Sequence, residues 1–282
     1  EGATFIKSAL EGESFGMSGA KIIIEEFLVG EEISVFALTD GKSIKYLSVA
    51  QDHKRVFEGD KGPNTGGMGA YASTSLASPR LMEHVHNTII IPTLETLKSQ
   101  GIVYKGVLYA GLILTSKGPQ VLEYNCRFGD PETQVLLPLL ETDFALLVKA
   151  VVEEELESLE INLSPKKAVC FVAASGGYPG DYTKNKVIHG LDKTSSLVFH
   201  AGTKKEKHEI LTNGGRVLNI VVLANTIKEA RKKALVELEK ISFEAMHYRK
   251  DIALKELTRP LVSVIMGSES DLPILKETLK IF

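Results

Sequence analysis

Tight-turn signals between apolar, β-branched runs limit this chain more than any other feature of its sequence. Asp40-Gly41 separates residues 32–38 from residues 43–50, and Lys117-Gly118 interrupts a second such pair within residues 107–124. Dipeptides of this kind favour hairpins, in which antiparallel strands follow one another directly. The first half of the chain is therefore predicted to be a meander of antiparallel strands, and not a parallel sheet.

Other segments add a loop, two helices and one more strand to this meander. Residues 52–71 carry five glycines and Pro63, which predicts an ordered loop. Ser78-Pro79 predicts the start of a helix that runs to about residue 98, and Asp130-Pro131 predicts another that runs to about residue 151. Residues 22–26 are predicted to form a short strand.

A second unit is predicted after the acidic run of residues 153–160. Its apolar segments predict strands at residues 168–174, 197–200 and 216–223, and a helix at residues 226–241. A last strand at residues 261–266 leads into a helix that continues to the end of the chain. The predicted fold class is α+β, and the predicted units are residues 1–150, a linker at 151–164, residues 165–258 and a tail at 261–282.

Composition excludes some classes of partner. Lysine and arginine total 33 and aspartate and glutamate 36, a net charge of −3, which gives no electrostatic reason to expect a nucleic acid partner. The sequence contains no apolar run of about 18 residues and no signal peptide, so we expect no membrane association. Cys126 and Cys170 lie far apart and favour a reducing compartment, the cytoplasm.

Glu123 and Asn125 are the first candidates for chemistry. They lie two apart on a predicted strand, so both side chains face the same way. A carboxylate and an amide oxygen suit a hard cation such as Mg²⁺, and Arg127 would face the same side as a phosphate ligand. The same alternation is also typical of a solvated edge strand, and this alternative stays open on these residues alone.

Further segments indicate contacts to a phosphorylated nucleotide. The basic run at residues 52–55 and the glycines at residues 66–69 would attract an anion. The connector at residues 25–28 would present backbone groups to an adenine edge, and Glu32 would accept hydrogen bonds from ribose hydroxyls. Each segment alone is more typical of an ordinary surface, turn or hairpin.

Together these segments resemble the glycinamide ribonucleotide synthetase family, the phosphoribosylamine–glycine ligases. The resemblance covers about residues 1–258 and is carried by residues 24–32, 51–55, 62–71, 108–112, 123–134, 176–180, 200–203 and 212–218. It implies the C-terminal half of an ATP-grasp domain, followed by a smaller α+β domain and a truncated strand–loop–helix tail.

The resemblance also implies a reaction and a set of roles. ATP would phosphorylate the carboxylate of glycine, and the amine of 5-phosphoribosylamine would displace the phosphate, giving glycinamide ribonucleotide, ADP and phosphate. Mg²⁺ or Mn²⁺ would be bound by Glu123 and Asn125. The remaining implied contacts are Glu25, Glu26, Phe27 and Leu28 for adenine, Glu32 for ribose, Lys54 and Arg127 for phosphates, and Asp52, Asn64, Thr65, Gly66 and Gly67 for glycine and phosphoribosylamine.

The sequence departs from the family pattern in two places. The family begins with a further domain and a mobile phosphate loop that do not precede Glu1, so we expect little or no turnover from residues 1–282 alone. The tail at residues 264–273 resembles the opening of carboxyaminoimidazole ribonucleotide mutase, where Ser268 and Asp271 would contact a nucleotide. This predicts a piece of a fused purine-pathway protein. The alternatives are another ATP-grasp carboxylate–amine ligase and a non-catalytic nucleotide-binding module.

Overall fold

The computed structural model describes residues 2–11, 21–260 and 265–279. The strands are β1 (Glu31–Thr39), β2 (Ile44–Tyr46), β3 (Ala50–Asp52), β4 (Arg55–Phe57), β5 (Lys61–Asn64), β6 (Gly69–Ala72), β7 (Gly106–Thr115), β8 (Gly118–Asn125), β9 (Lys167–Ser175), β10 (Leu197–His200), β11 (Thr203–Glu206), β12 (Glu209–Thr212), β13 (Arg216–Ala224) and β14 (Met246–His247). The α-helices are α1 (Gly2–Leu10), α2 (Pro79–Val85), α3 (Ile91–Ser99), α4 (Thr133–Leu136), α5 (Phe144–Glu153), α6 (Ile227–Leu238), α7 (Leu254–Thr258) and α8 (Leu272–Leu279). A π-helical stretch, His86–Ile90, joins α2 to α3. None of the helices in the described ranges is long and apolar enough to cross a membrane.

One antiparallel sheet runs through the molecule. Eight strands follow the order β10-β13-β9-β6-β3-β1-β7-β8, while β14 pairs with β9 and β2 pairs with β1. The pairing of β6 with β9 joins Gly69 to Phe171 and Ala72 to Ala168, so the sheet continues from the first predicted unit into the second. The pairs β4–β5 and β11–β12 form separate two-stranded hairpins.

Helices cover both faces of this sheet. Successive side chains of a strand point in opposite directions, and β1 carries apolar side chains on both faces that helices bury. Ile33 and Val35 of β1 pack with residues of α2, the π-helical stretch and α3. Phe36 and Leu38 pack on the other face, with residues of α4 and α5. Farther along the sheet, α6 packs on β9 and β13, with Thr226 as its N-cap. The structure is therefore a mixed α and β fold, as predicted.

Most hairpin and cap predictions are confirmed. Both predicted turns join paired antiparallel strands, β1 to β2 and β7 to β8. Ser78 caps α2, with its side chain accepting from the backbone N–H of Leu81 and Pro79 in the first turn. The predicted strands of the second unit appear as β9, β10 and β13.

Several predicted elements in the first unit are wrong. Residues 22–26 form no strand, and Ile23 and Ile24 are 84% and 79% exposed, so they lack the packing that a strand needs. Residues 43–50 split between β2 and β3, and the predicted loop at residues 52–71 contains the β4–β5 hairpin and β6.

The helix predicted from Asp130 to about residue 151 is also wrong, because it is two helices. The first begins at Thr133 without a side-chain cap and ends in a 3₁₀ turn that contains Pro138. Leu140 is then extended, and Asp143 starts α5 by accepting from the backbone N–H groups of Ala145 and Leu146. Proline has no N–H to donate inside a helix, which favours the break.

The predicted tail is only partly described. Residues 261–264 of the predicted last strand and residues 280–282 of the final helix lie outside the described residues, and residues 265–266 are not in a strand. Ser268 and Asp271 form a capping box at a 3₁₀ turn, Glu269–Asp271, which leads into α8.

Candidate functional site

The paired polar residues of β8 face one side of the sheet, as their spacing predicts. Register places Asn125 opposite Tyr109 of β7 and Glu123 opposite Gly111. A Cβ atom added to Gly111 would lie 3.2 Å from Cγ of Glu123, so the glycine leaves room for the carboxylate side chain. Tyr124 points to the opposite face, where its hydroxyl lies 2.7 Å from Oγ1 of Thr93.

An irregularity in β8 changes which side chains reach this face. Pairing shifts from Gly111–Glu123 to Leu112–Val121, which leaves Leu122 without a partner on β7. An extra residue of this kind re-aims its neighbours. Leu122 consequently lines a cavity, while the adjacent Glu123 lines a second cavity beside it.

The smaller of these cavities has a volume of about 300 Å³ and is strongly polar. Its lining consists of Asp52, Lys54, Asn64, Thr65, Gly66, Tyr109, Glu123, Asn125, Arg127, Gly129, Asp130 and Glu132. The structure therefore brings the predicted metal ligands and both predicted phosphate contacts together with four of the five predicted substrate contacts.

The larger cavity, about 480 Å³, adjoins the smaller one through the shared residues Asp52, Lys54 and Asn64. Its wall includes Glu26, Phe27, Leu28 and Glu32 of the predicted adenine and ribose site, with Leu122 and Ile113 from the sheet. Phe27 itself is 88% exposed. Glu25 and Gly67 line neither cavity.

Charge is concentrated where the two cavities meet. Nζ of Lys54 lies 2.8 Å from Oε2 of Glu32. Burial, together with the negative charges of Glu132, Glu32 and Glu123, raises the pKa of Asp52 to about 8, although Lys54 opposes the shift. Carboxylates gathered in this way are typical of a site that binds a cation.

Four residues that line the smaller cavity were not predicted from the sequence: Tyr109, Gly129, Asp130 and Glu132. Glu132 is buried at the floor of the smaller cavity, and its Oε1 accepts from the hydroxyls of Tyr109, at 2.8 Å, and Ser34, at 3.2 Å. Burial, and then the charges of Glu132 and Asp52, raise the pKa of Tyr109. The sequence places Glu132 in a predicted helix, and only the non-local contact to β1 and β7 shows where it points.

The loop at residues 64–67 is held by the second unit. Nη1 of Arg216 donates to the carbonyl oxygens of Gly66, at 2.7 Å, and Asp130, at 2.6 Å. The hydroxyl of Tyr178 accepts from the N–H of Gly66 at 3.0 Å. Gly67 packs behind the loop, where an added Cβ would lie 2.4 Å from Cδ of Pro131, so its position is structural in this geometry.

The donor set fits a hard divalent cation in part. Glu123 and Asn125 supply a carboxylate and an amide oxygen on one face, and oxygen donors are the ligands that Mg²⁺ prefers. Within the part of the chain that the structure describes, no group of three or more His, Cys, Asp or Glu side chains is placed to enclose an ion. Mg²⁺ ordinarily keeps several waters and takes phosphate oxygens as ligands in nucleotide sites.

The antiparallel sheet, the connector beside the larger cavity and the oxygen pair on its edge strand define a domain of the ATP-grasp class. Residues 1–133 match the family model described as "Phosphoribosylglycinamide synthetase, ATP-grasp (A) domain". Residues 168–255 match "Phosphoribosylglycinamide synthetase, C domain". The chain belongs to the phosphoribosylglycinamide synthetase family.

Individual relatives agree with this membership. The chain is 51% identical over 240 residues to phosphoribosylamine–glycine ligase of Caldanaerobacter subterraneus, covering 85% of this chain and 58% of that protein. It is 46% identical over 250 residues to the bifunctional purine biosynthetic protein ADE1 of Schizosaccharomyces pombe, covering 88% of this chain and 32% of that protein. The crystal structure of phosphoribosylamine–glycine ligase from Thermotoga maritima matches with a TM-score of 0.78 and 35% identity, covering 87% of this chain and 61% of that one. The chain thus spans about three fifths of the length of the two ligases.

Proposed function

We propose that the protein containing this chain joins glycine to 5-phosphoribosylamine with ATP, through glycyl phosphate, and releases glycinamide ribonucleotide, ADP and phosphate. One observation carries the proposal. Glu123, Asn125, Arg127 and Lys54 all line the smaller cavity, which adjoins the larger cavity beside the connector at residues 26–28. The names of the relatives supply the substrates.

In this proposal the larger cavity holds the nucleoside. Adenine lies between the connector at residues 25–28 and the apolar side chains of Leu122 and Ile113, and Glu32 accepts hydrogen bonds from the ribose. The phosphates extend toward Lys54 and Arg127 in the smaller cavity. Lys54 lines both cavities, so it can contact the phosphates where they pass from the larger cavity to the smaller one.

Glu123 and Asn125 hold Mg²⁺ or Mn²⁺ in this arrangement. When bound, such an ion neutralises charge on the transferred phosphoryl group. The two side chains leave most coordination positions to phosphate oxygens and water, which suits an ion that arrives with its nucleotide. Gly111, opposite Glu123 on β7, leaves room for this carboxylate side chain beside the sheet.

The acidic end of the smaller cavity suits the ammonium group of glycine. Asp52 and the buried Glu132 offer carboxylates there, while Asn64, Thr65 and Gly66 border the space that an acceptor amine would enter. Gly67 contributes by supporting this loop. An acyl phosphate must be protected from water. The second unit contributes to the site through Arg216 and Tyr178, which hold the loop that borders the smaller cavity.

The deciding experiment measures ADP release by the full-length protein with glycine and 5-phosphoribosylamine, and with other acid–amine pairs. We expect release with the first pair only. Release with a different pair alone would replace the proposal with another carboxylate–amine ligase, and nucleotide binding without any release would leave a non-catalytic module.

The residue-level prediction is that Glu123→Ala in the full-length protein lowers kcat by at least about a hundredfold, since a transition-state charge contact is lost. Gln120→Ala, an exposed neighbour on the same strand, is the matched control and should keep normal turnover. Far-UV circular dichroism of both variants checks the fold. Normal turnover in Glu123→Ala would remove this residue from the metal site.

We also propose that the protein carries further purine-pathway domains and that it is cytoplasmic. The similarity to a bifunctional purine biosynthetic protein supports fusion to other purine-pathway domains, of which the tail with Ser268 and Asp271 would open a mutase-like one. Cys126 and Cys170 are both free thiols, which supports a cytoplasmic location.

A further inference from the structure

Arg249, in the segment that follows β14, is buried to a degree that arginine rarely reaches. Its side chain has no exposed surface. Nε and Nη2 donate to the two carboxylate oxygens of Asp251, at 2.8 and 2.7 Å. Nη1 donates to Oδ1 of Asp60 and to the carbonyl oxygen of Arg55, both at 2.9 Å. One guanidinium therefore ties the second unit to the first residue of β4 and to the turn that joins β4 to β5.

Other contacts between the same two segments reinforce this attachment. The N–H of Gly59 donates to Asp251 at 2.8 Å, and the N–H of Lys250 donates to Glu58 at 3.0 Å. Nε2 of His247 lies 2.9 Å from the carbonyl oxygen of Val56. Because β4 and β5 pair only with each other among the described strands, the hairpin is placed on the rest of the molecule by these contacts, by the ion pair of Asp60 with Lys255 and by the packing of Val56 against Met68 and Ala174.

Both ends of this hairpin lead directly into the smaller cavity. Lys54 precedes β4, and Asn64 ends β5 and is followed by Thr65 and Gly66. The N–H and the hydroxyl of Thr65 both donate to the carbonyl oxygen of Lys54, at 2.7 and 2.8 Å. A rotation of the hairpin would therefore move a phosphate contact and the substrate loop together.

We propose that Arg249 is a positioning residue, which fastens the β4–β5 hairpin through Asp60 and so fixes Lys54 and residues 64–66 in the cavity that takes the acceptor substrates. The proposal rests on the proposed function. It makes the second unit a determinant of substrate affinity, although Arg249 itself lines neither cavity.

The first measurement needs only residues 1–282. Lys61 is exposed on β5, so trypsin cleavage after it reports opening of the hairpin. Asp60→Asn and Arg249→Lys should speed this cleavage by about tenfold or more, because each leaves a buried charge with a poorer partner. Lys186→Met, which breaks the 2.7 Å ion pair with Glu244 elsewhere in the second unit, is the matched control and should leave the cleavage rate unchanged.

The second measurement uses the full-length protein. Arg249→Lys should raise KM for glycine and 5-phosphoribosylamine by about tenfold with a smaller change in kcat. Inhibition by adenosine, which lacks phosphates and would contact the connector at residues 26–28, should be unchanged. Asp60→Asn should raise KM in the same way, but its adenosine inhibition is not a control, because Asp60 lines the larger cavity and pairs with Lys255 there. Lys186→Met should change neither KM nor adenosine inhibition.

The outcomes separate the two proposals. Faster cleavage with raised KM supports the positioning role, whereas faster cleavage with unchanged KM overturns it. Cleavage at the wild-type rate in both Asp60→Asn and Arg249→Lys overturns the attachment itself. A full-length protein without ligase activity would refute the proposed function, and the cleavage rates would still decide whether Arg249 holds the hairpin.

Discussion

At the scale of single residues, the unusual feature is a carboxylate held where it is poorly stabilised. Asp52 is partly buried near three other acids, and the cation that opposes them, Lys54, is itself paired with Glu32. Folding alone gives no reason for such an arrangement, because each added negative charge raises the cost of ionising the others. A site that receives a cation with its substrate does give a reason.

This crowding has a measurable consequence for stability. The pKa of Asp52 is raised to about 8 in the folded chain, against about 4 when unfolded, so the folded state binds the proton more tightly between these values. Stability should therefore fall as pH rises from about 4 to 8. Asp52→Asn removes that loss, so its melting temperature should exceed that of the wild type at pH 8 and differ less at pH 5.

Thermal unfolding at the two pH values, without metal or nucleotide, checks this expectation. Asp192→Asn, at an exposed position of the second unit, controls for the change of charge and should follow the wild type. A wild-type advantage over Asp52→Asn at pH 8 would mean that the carboxylate is well solvated in the folded chain.

At the scale of elements, the loop after β5 depends on close backbone packing. Gly67 has a φ of +114° and lies against Pro131, while Gly118 at the start of β8 has a φ of +102° and open space around it. Both positions penalise a side chain through conformation, but only Gly67 adds a steric conflict.

Alanine substitutions at these two glycines should therefore differ in their effect on stability. Gly67→Ala should lower the free energy of unfolding by about 1–3 kcal/mol more than Gly118→Ala, because an added Cβ would overlap the proline ring. Urea unfolding of residues 1–282 measures both variants. Equal losses would show that the loop moves away from Pro131 at little cost.

Elements with local signals could be predicted from the sequence, and elements that depend on distant contacts could not. The cap at Ser78 and the turn within residues 107–124 are encoded by neighbouring residues, and both are confirmed. The β4–β5 hairpin contains Gly59, Gly62 and Pro63, which obscure a strand pattern, and it contacts Arg249, nearly two hundred residues away.

The same division holds for the candidate site. Spacing on one strand was enough to place Glu123 and Asn125 on a common face. The role of Glu132 depends on hydroxyls from Ser34 and Tyr109, which come from two other strands, so no local pattern identifies it. The resemblance implies a substrate contact at Gly67, and the structure places this glycine against Pro131, outside the lining of both cavities.

At the scale of the whole molecule, the main feature is a single sheet that both predicted units share. Although the sequence suggests two units, β6 and β9 pair within one sheet, and the buried Tyr71 packs in the same cluster as residues of α6. Continuous hydrogen bonding and a shared core favour a single cooperative unfolding transition over two separate ones.

A core substitution in the second unit tests this cooperativity. Leu238→Ala, at a fully buried position of α6, should lower the free energy of unfolding by about 2–5 kcal/mol and shift the whole transition of residues 1–282. Val236→Ala, at a position 51% exposed on the same helix, should change little. Coincident midpoints from circular dichroism and from tryptic protection at Lys61 are expected, and separate midpoints would mean that the units unfold independently.

Among the strands that the structure describes, β8 lies at the end of the sheet, and this position affects how the protein behaves in concentrated solution. An edge strand exposes unpaired backbone groups that invite pairing with another chain, and a charged side chain is a common safeguard. Glu123 is the only charged residue between Gly118 and Asn125. We therefore expect the carboxylate proposed for the metal also to oppose such pairing, so that a variant without it self-associates more readily even while its fold is intact.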